Sequence, residues 1–238
     1  MERRGGNNNV TFADLLARNY KDQAVFFLNA YWTDVGTDAE KVWIRHAKFV
    51  ELDLQKGAEG SDLDEFNAHR FLETFDETKT VIGLREILAE HGIDRKKRMS
   101  MIEYLLVKFS KHVQDLLSRP QEIAGGAGAS AHAPSEDLLK AQAALQAVRA
   151  EIDKIEREKA QLEAAAQGTG VKAMQAKNQL SQLLNRDPTD LNRALLTAEA
   201  AVRKLGGVGP PGLVWWLGRE LQEMKKYKPQ SKGGVPRN

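Results

Sequence analysis

The sequence predicts an all-α protein in which a hand-like helical amino-terminal domain is followed by an antiparallel coiled-coil hairpin. Three observations carry this. Apolar residues recur at steps of three and four through residues 135–166, the spacing of one helix face. The spacing resumes after Gly168-Thr169-Gly170 and again after Asp187-Pro188, as expected of a chain that turns back on itself. Residues 11–120 carry helical spacing between short polar turns, and strands are poorly supported because no stretch alternates apolar with polar.

Composition narrows the class. At 238 residues, 29% charged and 42% apolar, the chain has material for one large domain or two modest ones. A net charge of +2 is too small to mark a nucleic-acid binder, and no recognition module accompanies it. The absence of cysteine excludes a disulfide framework and thiol catalysis. No stretch has the length and apolar continuity of a membrane span. Residues 1–10 form a polar tail with no hydrophobic targeting segment behind it, so a cytoplasmic protein is expected.

In chain order, Thr11 with Asp14 three residues on has the form of a capping box for the first helix, whose apolar side is Phe12, Leu15, Leu16 and Tyr20. The rings of Phe26, Phe27, Tyr31 and Trp32 either fill the core where the first helices meet or line a peptide groove. Residues 38–52 predict a helix buried through Val42, Trp43, Ala47, Phe49 and Val50. A carboxylate-rich turn with Asp53, Gln55, Glu59, Asp62 and Asp64 follows, without the usual calcium-loop spacing. Further helices are expected after Ser61 or Asp62, over residues 81–90 and over residues 102–117.

Residues 92–103 have the flanks of a helix-loop-helix hand. With Glu103 in the twelfth position, Gly92 and Lys96 fall where a calcium loop needs oxygen donors, and Lys97 falls where the turn needs glycine. The loop is a degenerate EF-hand-like region, and neither metal nor cofactor is expected. Arg95-Lys96-Lys97-Arg98 makes a positive knob, read either as a solvated loop or as a contact for an acidic or phosphate-bearing partner.

Residues 121–134, rich in Gly and Ala, form the linker to the hairpin of residues 135–205. Its seam is Leu138, Ala141, Leu145, Val148, Ile152, Ile155, Leu162 and Ala166, with Lys159 at one position the pattern would give to an apolar residue. The return segments are read through Val171, Met174, Leu180, Leu183 and Leu184, then Leu191, Leu195, Ala198, Val202 and Leu205. A Gly/Pro linker at residues 206–212 precedes an amphipathic helix over 213–228 and a basic tail over 229–238. Trp215 and Trp216 either dock that helix or anchor a partner beside Lys225, Lys226 and Lys228. Histidines such as His46, His69 and His91 come with no nucleophile constellation or phosphate-binding loop, so no catalysis is expected.

The residues running from Gln23 to Trp32, Ser100 to Leu106, Ile155 to Ala160 and Ala198 to Arg203, and ending at Val214-Trp215-Trp216 with a lysine-rich tail, keep one order along the chain. In that order they resemble the calcium-regulated actin-bundling proteins of amoeboid protists. The resemblance implies actin-filament binding, with cross-linking where a molecule or oligomer presents more than one filament contact. It implies regulation by the hand-like region and the major filament contact in the carboxyl-terminal helices. The departures at Gly92, Lys96 and Lys97 point to a calcium-independent member. Against an acidic filament, Lys172, Lys177, Arg203, Lys204, Lys225, Lys226 and Lys228 would steer association, and apolar contacts would orient it. Bivalency would come from two faces or from self-association. The alternative is an adaptor in a microtubule-based or ciliary scaffold, with other cytoskeletal proteins as partners.

Overall fold

The computed structural model describes residues 10–77, 83, 86, 90, 98–119, 135–227 and 229. The expected tail at 1–9, most of the helix at 81–90, the loop at 91–97, the linker at 121–134 and the basic end from 230 lie outside them. The described residues divide into two compact units, one within Met1–Ala131 and Gly209–Trp216, the other within His132–Val208 and Leu217–Asn238.

The first unit opens with α1 (Phe12–Leu16), α2 (Tyr20–Ala30), α3 (Trp32–Val35) and α4 (Ala39–Leu52). Thr11 and Asp14 form the capping box that starts α1, and Asn19 caps α2. Nine of the 11 side chains of α2 are buried, the polar Gln23 and Asn29 among them, and the helix packs against α4 and against α6 (Met101–Lys108). Between them lies α5 (Glu65–Thr74), and α7 (Val113–Ser118) follows α6. Tyr20, Phe49, Phe71 and Tyr104 chain through the core with centroids 4.5–5.2 Å apart. The aromatic run of α2 therefore fills the core, with Phe26, Phe27 and Tyr31 buried.

Two strands correct the expectation of helix alone. β1 (Asp62–Asp64) pairs antiparallel with β2 (Arg98–Ser100), with Leu63 opposite Met99 and both buried. Three residues are too few to show alternation, so this pairing is set by tertiary proximity. The two sides are built alike. Asp64 caps α5 by accepting from Asn67 N at 2.8 Å, and Ser100 caps α6 in a buried capping box with Glu103. Buried Gln23 donates to the carbonyls of Arg18 and Ser61 and accepts from Ile102 N at 2.9 Å, so one amide joins α2, the β1 turn and α6. At Gly60 an added Cβ would lie 2.1 Å from Asp53 Oδ2 and 2.6 Å from the Tyr20 ring, so the turn requires glycine for close approach.

The second unit is a hairpin with a broken return arm. The outgoing helix α8 (Glu136–Ala166) has 31 residues; α9 (Val171–Asn185) and α10 (Thr189–Leu205) have 15 and 17 and both pack on it. Gly170, at φ 89°, makes the turn into α9 in the left-handed region. At the far end Lys204 reaches Asp137 at 2.8 Å, so α9 and α10 lie end to end along α8. The break falls at Pro188, which cannot donate the hydrogen bond a continuous helix would need. Asp187 accepts there from Thr189 N and Asn192 Nδ2.

The seam residues expected from spacing are buried or half-buried, Lys159 among them; its Nζ lies 2.6 Å from Glu156, which also accepts from Tyr227 OH. The last helix, α11 (Pro211–Lys225), belongs to the first unit as far as Trp216 and to the second from Leu217. In the second unit Leu217 and Leu221 are buried and Glu220 pairs with Arg149 at 3.0 Å.

Candidate functional site

The outward face of the return arm combines free cations with exposed apolar side chains. α9 is made of Ala, Gln, Asn, Ser and apolar residues with Lys172 and Lys177, and carries no acid. It buries only Ala173, Ala176 and Leu183. The sequence reading gave Val171 and Met174 to the seam; the structure corrects this, leaving them 71% and 65% exposed. Ala173, Ala176, Leu180 and Leu183 satisfy the same three-and-four spacing, and the small alanines bring the helix backbones close. Stepping back from Leu183 by three and four reaches these residues, and by threes alone reaches Met174, so spacing does not choose between the two faces. Lys172 and Lys177 are exposed, and among the described residues neither forms an ion pair.

α10 shows a second stripe. Arg193, Leu196, Ala200 and Arg203 fall at steps of three and four on its exposed side, with Leu196 69% exposed. Sequence spacing singled out neither Arg193 nor Leu196, because a lone leucine outside the seam pattern gives no sign of which way it faces.

The other expected cations are tied internally. Arg203 lies 3.4 Å from Glu199, which also accepts from Lys225 at 2.8 Å. Lys225, then Arg203, hold the Glu199 carboxyl below the usual range. Lys204 pairs with Asp137, and Lys226 with Glu223 at 3.0 Å. These are solvent-facing pairs that a partner can exchange at little cost. Lys228 lies outside the described residues.

The tryptophans separate. Trp216 is fully buried in the first unit, its ring 4.9 Å from Trp43 and from His46. Leu213 N donates to Asn29 Oδ1 at 2.9 Å, and Gly212 lies so close to the Asn29 and Leu28 backbone that a Cβ would clash. In this fold Trp216 cannot touch a partner; Trp215 is half-buried. Burial pushes the His46 imidazole down to about 4, with Lys21 adding to the effect.

In the hand-like region the acidic side chains are already engaged. Asp53 accepts from Gln55 N, Lys56 N and Tyr20 OH, Asp64 from Asn67, and Asp62 from Arg98. Among the described residues no group of three or more His, Cys, Asp and Glu is placed to hold a metal ion.

The chain is similar to known proteins over most of its length. Residues 98–206 match the model of the family described as F actin bundling C terminal, a span that takes in α8, α9 and α10. The chain is 29% identical over 272 aligned positions to a calcium-regulated actin-bundling protein of Dictyostelium discoideum, covering 93% of this chain and 89% of that protein. It is similar to the crystal structure of the 34 kDa F-actin bundling protein from Dictyostelium discoideum at a TM-score of 0.70 and 30% identity, over 93% of this chain and 96% of the solved one. With relatedness of that extent along nearly the whole length, the chain belongs to the family of F-actin bundling proteins.

Proposed function

We propose that this protein binds actin filaments, bundles them without a requirement for calcium, and does so through the outward face of its return arm. The match of residues 98–206 to an actin-bundling family model carries the reading, because it spans the helices on which unpaired lysines and exposed apolar side chains coincide. Lys172 and Lys177 attract an acidic filament, and Val171, Met174 and Leu196 supply the desolvated contact that fixes orientation. Arg203, Lys204 and Lys225 join by exchanging internal carboxylates for filament ones. The protein is a binding protein rather than an enzyme, and its place is the cytoplasmic actin cytoskeleton. Calcium independence is supported by the engagement of Asp53, Asp62 and Asp64 within the fold.

Co-sedimentation with filamentous actin tests this. High-speed spins score binding and low-speed spins score bundles, each in calcium and in chelator. Saturable high-speed pelleting, low-speed bundles and equal curves in both conditions are expected. Absence of actin-dependent pelleting at physiological salt would overturn the filament assignment and turn attention to an adaptor role; pelleting that changes with calcium would overturn only the calcium clause.

A further inference from the structure

Among the described residues an ion pair joins the two halves of the hand-like region. Arg98 stands on β2, in register with Asp64 on β1. Its guanidinium donates to Asp62 Oδ1 at 2.5 Å and reaches the Asp62 carbonyl at 3.5 Å. Asp53, Lys56, Asp62, Asp64, Asn67 and Arg98 are among the residues that line one hollow of about 310 Å³, in which Lys56 comes from the acidic turn itself and Arg98 from the opposite strand. Three carboxylates of the first turn thus face a hollow into which the second half of the pair delivers a cation.

A relative named for its regulation by calcium raises the question of whether that hollow suits the metal here. It does not while Arg98 is in place. Calcium takes roughly six to eight oxygens. In this turn Asp53 accepts from two peptide N–H groups and from Tyr20 OH, and Asp64 from the cap of α5, bonds that leave lone pairs on both carboxylates, but Asp62 is taken by Arg98, whose charge repels a second cation. A guanidinium suits the place better than an ammonium would, since it is always charged, weakly hydrated and able to donate along more than one direction.

We propose that Arg98 is the resident cation of the acidic turn. Its guanidinium does the work an ion would do, offsetting the mutual repulsion of Asp53, Asp62 and Asp64 and fastening β1 to β2, so that the pair is closed without metal. Because the cation is covalently part of the opposite strand, it cannot leave when calcium falls. Gly60 and Gln23 then hold the remaining backbone in the closed form.

The inference rests on the calcium-independent part of the proposed function and not on filament binding, so failure of the pelleting assay leaves it standing and its own failure leaves pelleting untouched. The test is thermal unfolding of the full chain, followed by circular dichroism in EDTA and in millimolar calcium chloride. The wild type should melt at the same temperature in both. Arg98→Gln should melt a few degrees lower in EDTA and recover most of that loss in calcium, while Arg98→Lys should keep most of the wild-type value and ignore calcium. Should Arg98→Gln not fold in EDTA, folding on addition of calcium supports the assignment, and failure to fold in either overturns it. A calcium-induced rise in the wild type that Asp62→Asn abolishes would also overturn it, as would an Arg98→Gln loss that calcium does not repair.

Discussion

Helix α2 buries nine of its 11 residues, whereas α9 buries three of its 15. Both are helices of one chain, and the difference lies in where their functional groups are spent. In α2 the polar side chains close internal accounts: Gln23 bonds to three backbone groups, and Asn29 accepts from Leu213 N. In α9 a thin face of alanines and one leucine holds the helix in place, leaving two lysines and two apolar side chains to the solvent. A helix used up by its own fold specifies structure; one held by a narrow strip keeps a surface to offer.

The largest expected effect tests whether the buried side of this contrast is only structural. Trp216→Ala should cost about 3–5 kcal/mol, the usual toll of emptying a large aromatic site. Urea unfolding would show it as a lower midpoint, while actin pelleting per folded molecule stays as in the wild type. Lost pelleting with unchanged stability would mean that Trp216 leaves the core to meet the filament, and the contrast would fail.

Acid probes the same site. The folded His46 titrates near 4, below its ordinary value, so the unfolded chain takes up the proton first. The stability tied to its neutral form is complete above an ordinary histidine pKa of about 6.5, and about 3 kcal/mol of it is lost by pH 4. Other groups titrate over this range, so the measurement is the difference between wild type and His46→Phe in chemical unfolding from pH 7 to pH 4. The wild type should lose more stability on acidification; parallel curves would show that His46 is hydrated.

On the exposed side the expectation reverses. Reversing the charge of both Lys172 and Lys177 to Glu should weaken filament affinity about tenfold, roughly 1.4 kcal/mol. Stability should stay within about 0.5 kcal/mol, as for surface substitutions remote from special features. Met174→Ala should weaken binding less and change its salt dependence little, because it removes contact area rather than charge. A melting temperature that falls with the affinity would place these side chains in the fold rather than at the interface.

The same contrast explains what could be read before the structure. The α8 seam was legible because its three-and-four spacing recurs over a long helix, and the breaks at Gly170 and Pro188 because their backbone chemistry is local. The α1 capping box was legible for the same reason. The β1–β2 pair was not, since Leu63 and Met99 acquire strand geometry only from each other. Nor was the outward turn of Val171 and Met174: the spacing admits two faces of α9, and alanine gives a weak signal for the buried one. Trp216 beside lysines reads alike whether docked or free, and only Trp43 and His46 decide it. The pairs of Lys204 with Asp137 and of Lys225 with Glu199 are tertiary facts with no local trace, whereas Arg203 and Glu199 stand four apart on α10, a spacing the sequence displays.

Lys159 sits between the two extremes, a cation spent inside the hairpin. It is buried at a seam position and held by Glu156, which also accepts from Tyr227 OH. Removing one partner of an ion pair is costly where it strands a buried charge, but here the remaining Glu156 side chain is 41% exposed, so the desolvation cost of the Lys159 ammonium disappears with its attraction and no charge is left buried. Lys159→Met should therefore move the unfolding free energy by no more than about 1 kcal/mol, with Glu156 still served by Tyr227 and solvent. What should change is uniqueness. A lone polar group on an apolar seam fixes register and disfavours association with a second seam. Sedimentation velocity should then show Lys159→Met self-associating at concentrations where the wild type does not. If both sediment alike, Lys159 serves packing alone, and the register of the hairpin is set by its turn at Gly170 and its break at Pro188.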